Sequence, residues 1–75
     1  MTGIAMRYAV VIEKGEGNYS AYVPDLPGCV AVGDTIEETH REIQEAIEFH
    51  LEGLRAEGVA IPEPSSRVEY VEVST

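Results

Sequence analysis

Residues 7–13 read RYAVVIE, with Tyr8, Val10 and Ile12 on one side of an extended chain and Ala9 and Val11 on the other. Both sides are apolar, the pattern of a strand inside a sheet rather than at its edge. Lys14-Gly15-Glu16-Gly17-Asn18 follows, and its glycines and asparagine suit the positive-φ positions of a hairpin turn. The return strand is YSAYVP over 19–24. It ends at Pro24, which brings no amide hydrogen to a ladder. Asp25-Leu26-Pro27-Gly28 is a turn by composition, and CVAV over 29–32 is a short third strand stopped by Gly33. Three strands with short links predict an antiparallel meander.

The period then changes from two to 3.6. Ile36, Ile43, Ile47, Leu51 and Leu54 form one stripe of a helix, flanked by Thr39, His40, Ala46 and His50. The far face carries Glu37, Glu38, Arg41, Glu42, Glu45, Glu48, Glu52 and Arg55. A capping box pairs either Asp34 with Glu37 or Thr35 with Glu38, and the sequence allows both registers. The helix is expected to end near Glu57, with Gly58 in the left-handed position beyond it. Gly53 inside the helix costs about 1 kcal/mol against alanine, which hints at a close backbone approach or at tolerated slack. Pro62 and Pro64 keep residues 59–66 out of a helix. RVEYVEV over 67–73 reads as a last strand.

The resulting order is β-β-β-α-β, an α+β domain. A right-handed crossover through the helix sets the last strand parallel to the third. Placing the most apolar strand inside gives the order 3-2-1-4, with one helix on one sheet face. That helix leaves the other face uncovered. The surplus set is either Tyr8, Val10, Ile12 and Tyr22 or Ala9, Val11, Tyr19, Ala21 and Val23, and apolar surface of this kind marks a protein contact. Phe49 falls off the helix stripe, beside the small residues Ala46 and Gly53; it is either a flank residue lying over the sheet or, as the already full stripe favours, a knob into another subunit. Tyr22, Phe49, Gly53 and Tyr70 are therefore the candidate oligomer or partner contacts.

Size sharpens that expectation. A chain of 75 residues makes one domain, expected over residues 6–75 after a flexible leader at 1–5 or an alternative start at Met6. A domain this small buries only roughly 60–65% of its extended surface. Cys29 is the only cysteine, so no intrachain disulfide can compensate. Self-association, as a dimer or tetramer, is the default. The formal net charge of −9 repels phosphate backbones and anionic lipid. A basic protein partner complements it, and plain solubility explains it equally well. No apolar run reaches a membrane span and no signal-peptide stretch opens the chain, so a cytoplasmic location is expected.

Candidate chemistry is sparse. His40 and His50 are ten residues apart and do not converge on one helix face, and neither an H-x-x-x-H nor a C-x-x-C spacing occurs. Cys29 reads as a small buried hydrophobe without a neighbouring base. Ser65 and Ser66 sit in a proline-bounded loop with no partner implied. Gly15-x-Gly17 precedes no helix and is a turn rather than a phosphate cradle. A metal-dependent nuclease needs carboxylates converging from several elements, whereas these face outward on one helix. No catalytic, metal or cofactor residues are assigned.

The motifs R-Y-x-V-V-I-E, G-x-Y-x-A-Y-V-P-D-L-P-G-C and G-D-T-I-E-E together resemble the HicB-like antitoxin family, over Arg7 to about Val73. The most specific stretches are Tyr19–Cys29, including the corner Pro24, Asp25, Leu26, Pro27, Gly28 and Cys29, and Gly33–Glu38, including the cap residues Asp34, Thr35, Glu37 and Glu38. The resemblance implies a truncated ribonuclease-H-like unit without nuclease carboxylates, oligomeric, that binds and masks a small basic mRNA-cutting toxin. It also implies a separate operator-binding domain in full-length members. Because the sequence stops at Thr75, autorepression by this chain alone is not expected. The alternatives are a stand-alone homo-oligomer with another protein or small-ligand partner, and a hydrolase acting on RNA.

Overall fold

The computed structural model describes residues 6–75; the leader expected at 1–5 lies outside the described residues. The hairpin closes where the Gly15 amide donates to the Asn18 carbonyl at 2.8 Å and Gly17 adopts a φ of 79°. Strands β1 (Val11–Lys14) and β2 (Tyr19–Tyr22) then pair antiparallel, Val11 opposite Tyr22 and Ile12 opposite Ala21. Strand β3 (Val30–Gly33) pairs antiparallel on the other side of β2, with Ala21 opposite Ala31 and Tyr22 opposite Val30.

This register decides the faces. Ile12, Ala21 and Ala31 form one row under the helix, with Tyr8, Val10 and Val23 on the same side. Val11, Tyr22 and Val30 form a row on the other side. The two alternatives read from sequence each combined strand residues that the register separates. Tyr8, Val10 and Ile12 go with Ala21 and Val23, and Tyr22 goes with Val11.

Helix α1 (Ile36–Ala56) covers the first face, lying mainly on β3 and β2. Its start uses the Thr35 register. The Thr35 hydroxyl accepts from the Glu38 amide at 3.0 Å, and a Glu38 carboxylate oxygen accepts from the Asp34 amide at 2.6 Å. Asp34 thus contributes its backbone to the cap, not its side chain. The end is a Schellman turn: with Gly58 at φ 71°, its amide donates to Arg55 O and the Val59 amide to Leu54 O. The buried core is Ala21, Val23, Leu26, Cys29 and Ile43, with Ala46, Ile47 and Leu51 packed against it. Ile36, placed on the stripe by periodicity, is 52% exposed. Thr39, expected as a flank residue, is fully buried, and its hydroxyl donates to the Thr35 carbonyl at 2.7 Å.

The expected strand order 3-2-1-4 is not found. The sheet has three antiparallel strands in the order β1-β2-β3, so β1 is an edge and not a central strand. Residues 67–73 are extended but pair with no strand among the described residues. The β1–β2 ladder also stops short, at Val11 rather than residue 7. Continuing its register would set Ala9 opposite Pro24, which has no amide hydrogen to give. The Val23 amide is instead turned into the corner, where it donates to Cys29 O.

Candidate functional site

The corner at residues 24–29 is built by three backbone hydrogen bonds: Val23 to Cys29 O, Leu26 to Val23 O and Cys29 to Leu26 O, at 3.3, 3.1 and 3.1 Å. Gly28 takes a φ of 85°, which a β-carbon would strain. Leu26 and Cys29 point into the core, both buried. Burial raises the Cys29 thiol pKa, which favours the unreactive thiol over the thiolate.

Asp25 points the other way and reaches across the chain. Its Oδ2 accepts from the Ser65 and Ser66 amides at 2.8 and 2.9 Å, and its Oδ1 from their hydroxyls at 3.2 and 2.7 Å. The Ser66 amide, then its hydroxyl and the Ser65 amide, lower the Asp25 pKa from 3.8 to about 2. Sequence assigned Ser65 and Ser66 no partner, because forty residues separate them from the carboxylate. Two adjacent serines after Pro64, facing an aspartate that opens a tight corner, are the signal that was available. A second tie lies nearby: the Tyr8 hydroxyl donates to the Pro62 carbonyl. Partial burial and the Asp25 charge raise the Tyr8 pKa. The corner is thus a clamp that fixes where the C-terminal segment leaves the body.

The four candidate contact residues fall on three elements. Phe49 is 80% exposed and borders a shallow depression with His50, Gly53 and Leu54. A β-carbon on Gly53 would meet nothing within 4 Å, so Gly53 marks open space and not a close backbone approach. Tyr22 lies on the uncovered sheet face with Val30 and Val32, which are 65% and 63% exposed. These two valines were missed, although their alternation with Ala31 was visible. Tyr70 stands on the extended C-terminal segment, 95% exposed. A groove of about 300 Å³ between residues 6–8 and the helix has Met6, Tyr8, Ile47 and Leu51 as its apolar lining and Glu48 and Arg55 as its charged lining.

Among the described residues, no group of three or more His, Cys, Asp or Glu side chains comes together. His40 and His50 stand roughly 15 Å apart along the helix axis. No helix among the described residues is long and apolar enough to cross a membrane. What the arrangement offers is contact surface: an apolar sheet face, an aromatic knob and an apolar tail on an acidic body.

Comparisons with known proteins agree in kind. The family model of the HicB_like antitoxin of bacterial toxin-antitoxin systems matches residues 8–74. A 14.9 kDa protein of Haemophilus phage HP1 is 38% identical over 66 residues, and the chain spans half of its length. The UPF0150 protein of Helicobacter pylori is 43% identical over 65 residues, which make up 85% of this chain and 90% of that one. Antitoxin HicB 2 of Photorhabdus laumondii is 37% identical over 73 residues, 91% of this chain and half of that protein. Among solved structures, a chain of the HicA3 and HicB3 toxin-antitoxin complex superposes with a TM-score of 0.69 at 32% identity, covering 80% of this chain and 70% of that one.

Proposed function

Because the chain belongs to the HicB-like antitoxin family, we propose that it is the partner-binding module of a toxin–antitoxin pair, which holds a HicA-like toxin inactive by covering it. The observation that carries this reading is the likeness to a chain solved within a HicA3–HicB3 complex. Physical features support it. Its charge of −9 suits a basic partner. Tyr22, Val30 and Val32 give that partner a dry contact surface, which acids alone do not provide. The module acts as a homo-oligomer in the cytoplasm, where a buried thiol stays reduced.

The test is co-expression with a HicA-like toxin. The toxin alone arrests growth; the pair restores it and co-purifies at a fixed ratio. Growth arrest that this chain does not relieve, together with no binding by calorimetry, overturns the reading.

A further inference from the structure

The body of the molecule ends at the Asp25 clamp, and the chain does not. Val68, Tyr70, Val71 and Val73 are 49%, 95%, 79% and 71% exposed, an apolar run that the body leaves in solvent. The radius of gyration is 14.3 Å, against about 11 Å for a compact chain of this length. The longest dimension is 47 Å, well beyond the roughly 31 Å of the 21-residue helix. At the other end of the sheet order, the outer edge of β1 pairs with no strand among the described residues. An extended apolar segment and an open strand edge are complementary halves of one sheet contact.

Its own body does not unite them. The root of the tail, Ser66–Val68, forms one wall of an open cleft whose other wall is Arg7–Ala9. Among the described residues no backbone hydrogen bond joins the two walls. Two ties hold the root there, Asp25 to Ser65 and Ser66, and Tyr8 to Pro62.

We infer that residues 67–73 of one copy add as a strand to the open β1 edge of a second copy, and that the exchange is reciprocal. The inference rests on the homo-oligomer reading above and specifies its contact. Charge selects this occupant. Most of the chain is acidic, but residues 7–14 carry a net +1, Arg7 and Lys14 against Glu13. Residues 67–73 carry a net −1, Glu69 and Glu72 against Arg67. Arg67 is already paired with Glu69 at 3.2 Å, which leaves Glu72 to meet the basic edge. Two of the five basic residues, Arg7 and Lys14, lie on the edge segment, where an acidic tail needs them. Length permits it: β1 has 4 residues, about 13 Å of edge, and a seven-residue tail of about 23 Å covers that edge and continues along the residues before Val11. A reciprocal exchange closes on itself with two-fold symmetry, so it stops at a dimer and does not run on into a fibre.

Two measurements test it on the full chain. Tyr70→Pro and Val71→Pro are made singly. Adjacent amides point to opposite sides of a strand, so one of the two removes a pairing hydrogen. The wild type is expected at twice the 8.2 kDa chain mass by light scattering, and one proline variant at half the wild-type mass with unchanged circular dichroism. In a mixture of differently labelled copies, isotope-filtered NMR is expected to show contacts between Val68–Val73 of one copy and Ala9–Glu13 of the other. If both proline variants stay dimeric, or the tail contacts lie within one copy, the exchange is wrong and self-association uses another surface. A monomeric wild type overturns both the exchange and the homo-oligomer reading, including the case where the tail is protected only when a toxin is bound.

Discussion

Asp25 holds Ser66 by two hydrogen bonds across 41 positions of chain, the amide to Oδ2 at 2.9 Å and the hydroxyl to Oδ1 at 2.7 Å. With the Ser65 pair, these bonds stabilise the ionised carboxylate. Its pKa of about 2, against 3.8 when free, makes the clamp acid-sensitive. A depressed carboxyl pKa contributes stability above the unfolded value and loses it as pH falls through the folded one, here between about pH 4 and 2. Hydrogen exchange of the Ser65 and Ser66 amides is expected to accelerate over that window, beyond the intrinsic change. Asp25→Ala is expected to show the same fast exchange at neutral pH while the Ile43 amide stays protected.

Gly33 and Gly53 respond to alanine with opposite signs. A β-carbon on Gly33 meets Thr39 Oγ1 at 2.6 Å and the Thr39 backbone at 2.8 Å, so sheet and helix must part. Gly33→Ala is expected to cost about 1–3 kcal/mol. Gly53 faces open space within a helix, and Gly53→Ala is expected to stabilise by about 1 kcal/mol. Urea unfolding of the two variants reads both.

Core truncation is expected to be severe in so small a domain. Ile43 and Leu26 are each 1% exposed, and replacement of either by alanine removes about 2–5 kcal/mol. The midpoint of urea unfolding falls accordingly. Thr35→Ala, which deletes the helix cap, costs about 1 kcal/mol in the same assay.

Val30→Glu separates folding from binding. Val30 is exposed on the uncovered sheet face, so the change is expected to alter stability by less than about 0.5 kcal/mol. Toxin affinity measured by calorimetry is expected to drop at least about ten-fold, because the contact then buries an unpaired carboxylate. Unchanged affinity would move the toxin contact off this face.

Cys29 is expected to resist thiol reagents in the folded chain at neutral pH and to react fully in denaturant, because burial both shields the sulfur and raises its pKa.

The readable parts of this sequence were the local ones. Gly17 and Gly58 act within a few residues and appear where the sequence placed them, and the helix cap was narrowed to two registers, of which the structure uses Thr35–Glu38. The corner at 24–29 was legible as a turn, but its reach to Ser65 and Ser66 was not, because no local pattern encodes a contact forty positions away. The fourth strand failed for a related reason. RVEYVEV states a propensity to pair and says nothing of where a partner edge lies. The apolar back of β1 suggested a central strand, whereas Tyr8, Val10 and Ile12 are covered by the helix and Val11 faces outward beside Tyr22. Thr39 was passed over because a threonine on a helix flank is ordinarily solvated, and only the glycine at 33 lets the sheet close on it.

The acidic face of α1 bears on how the molecule is made. Glu38–Glu42 and Glu48–Glu52 repel at one-turn spacing, and Gly53 weakens the last turns. A peptide of residues 34–58 is therefore expected to be mostly coil in isolation. The helix is thus expected to gain most of its order as Ile43 and Thr39 settle onto the sheet. Far-ultraviolet circular dichroism and a probe of the core are then expected to change together in stopped-flow refolding.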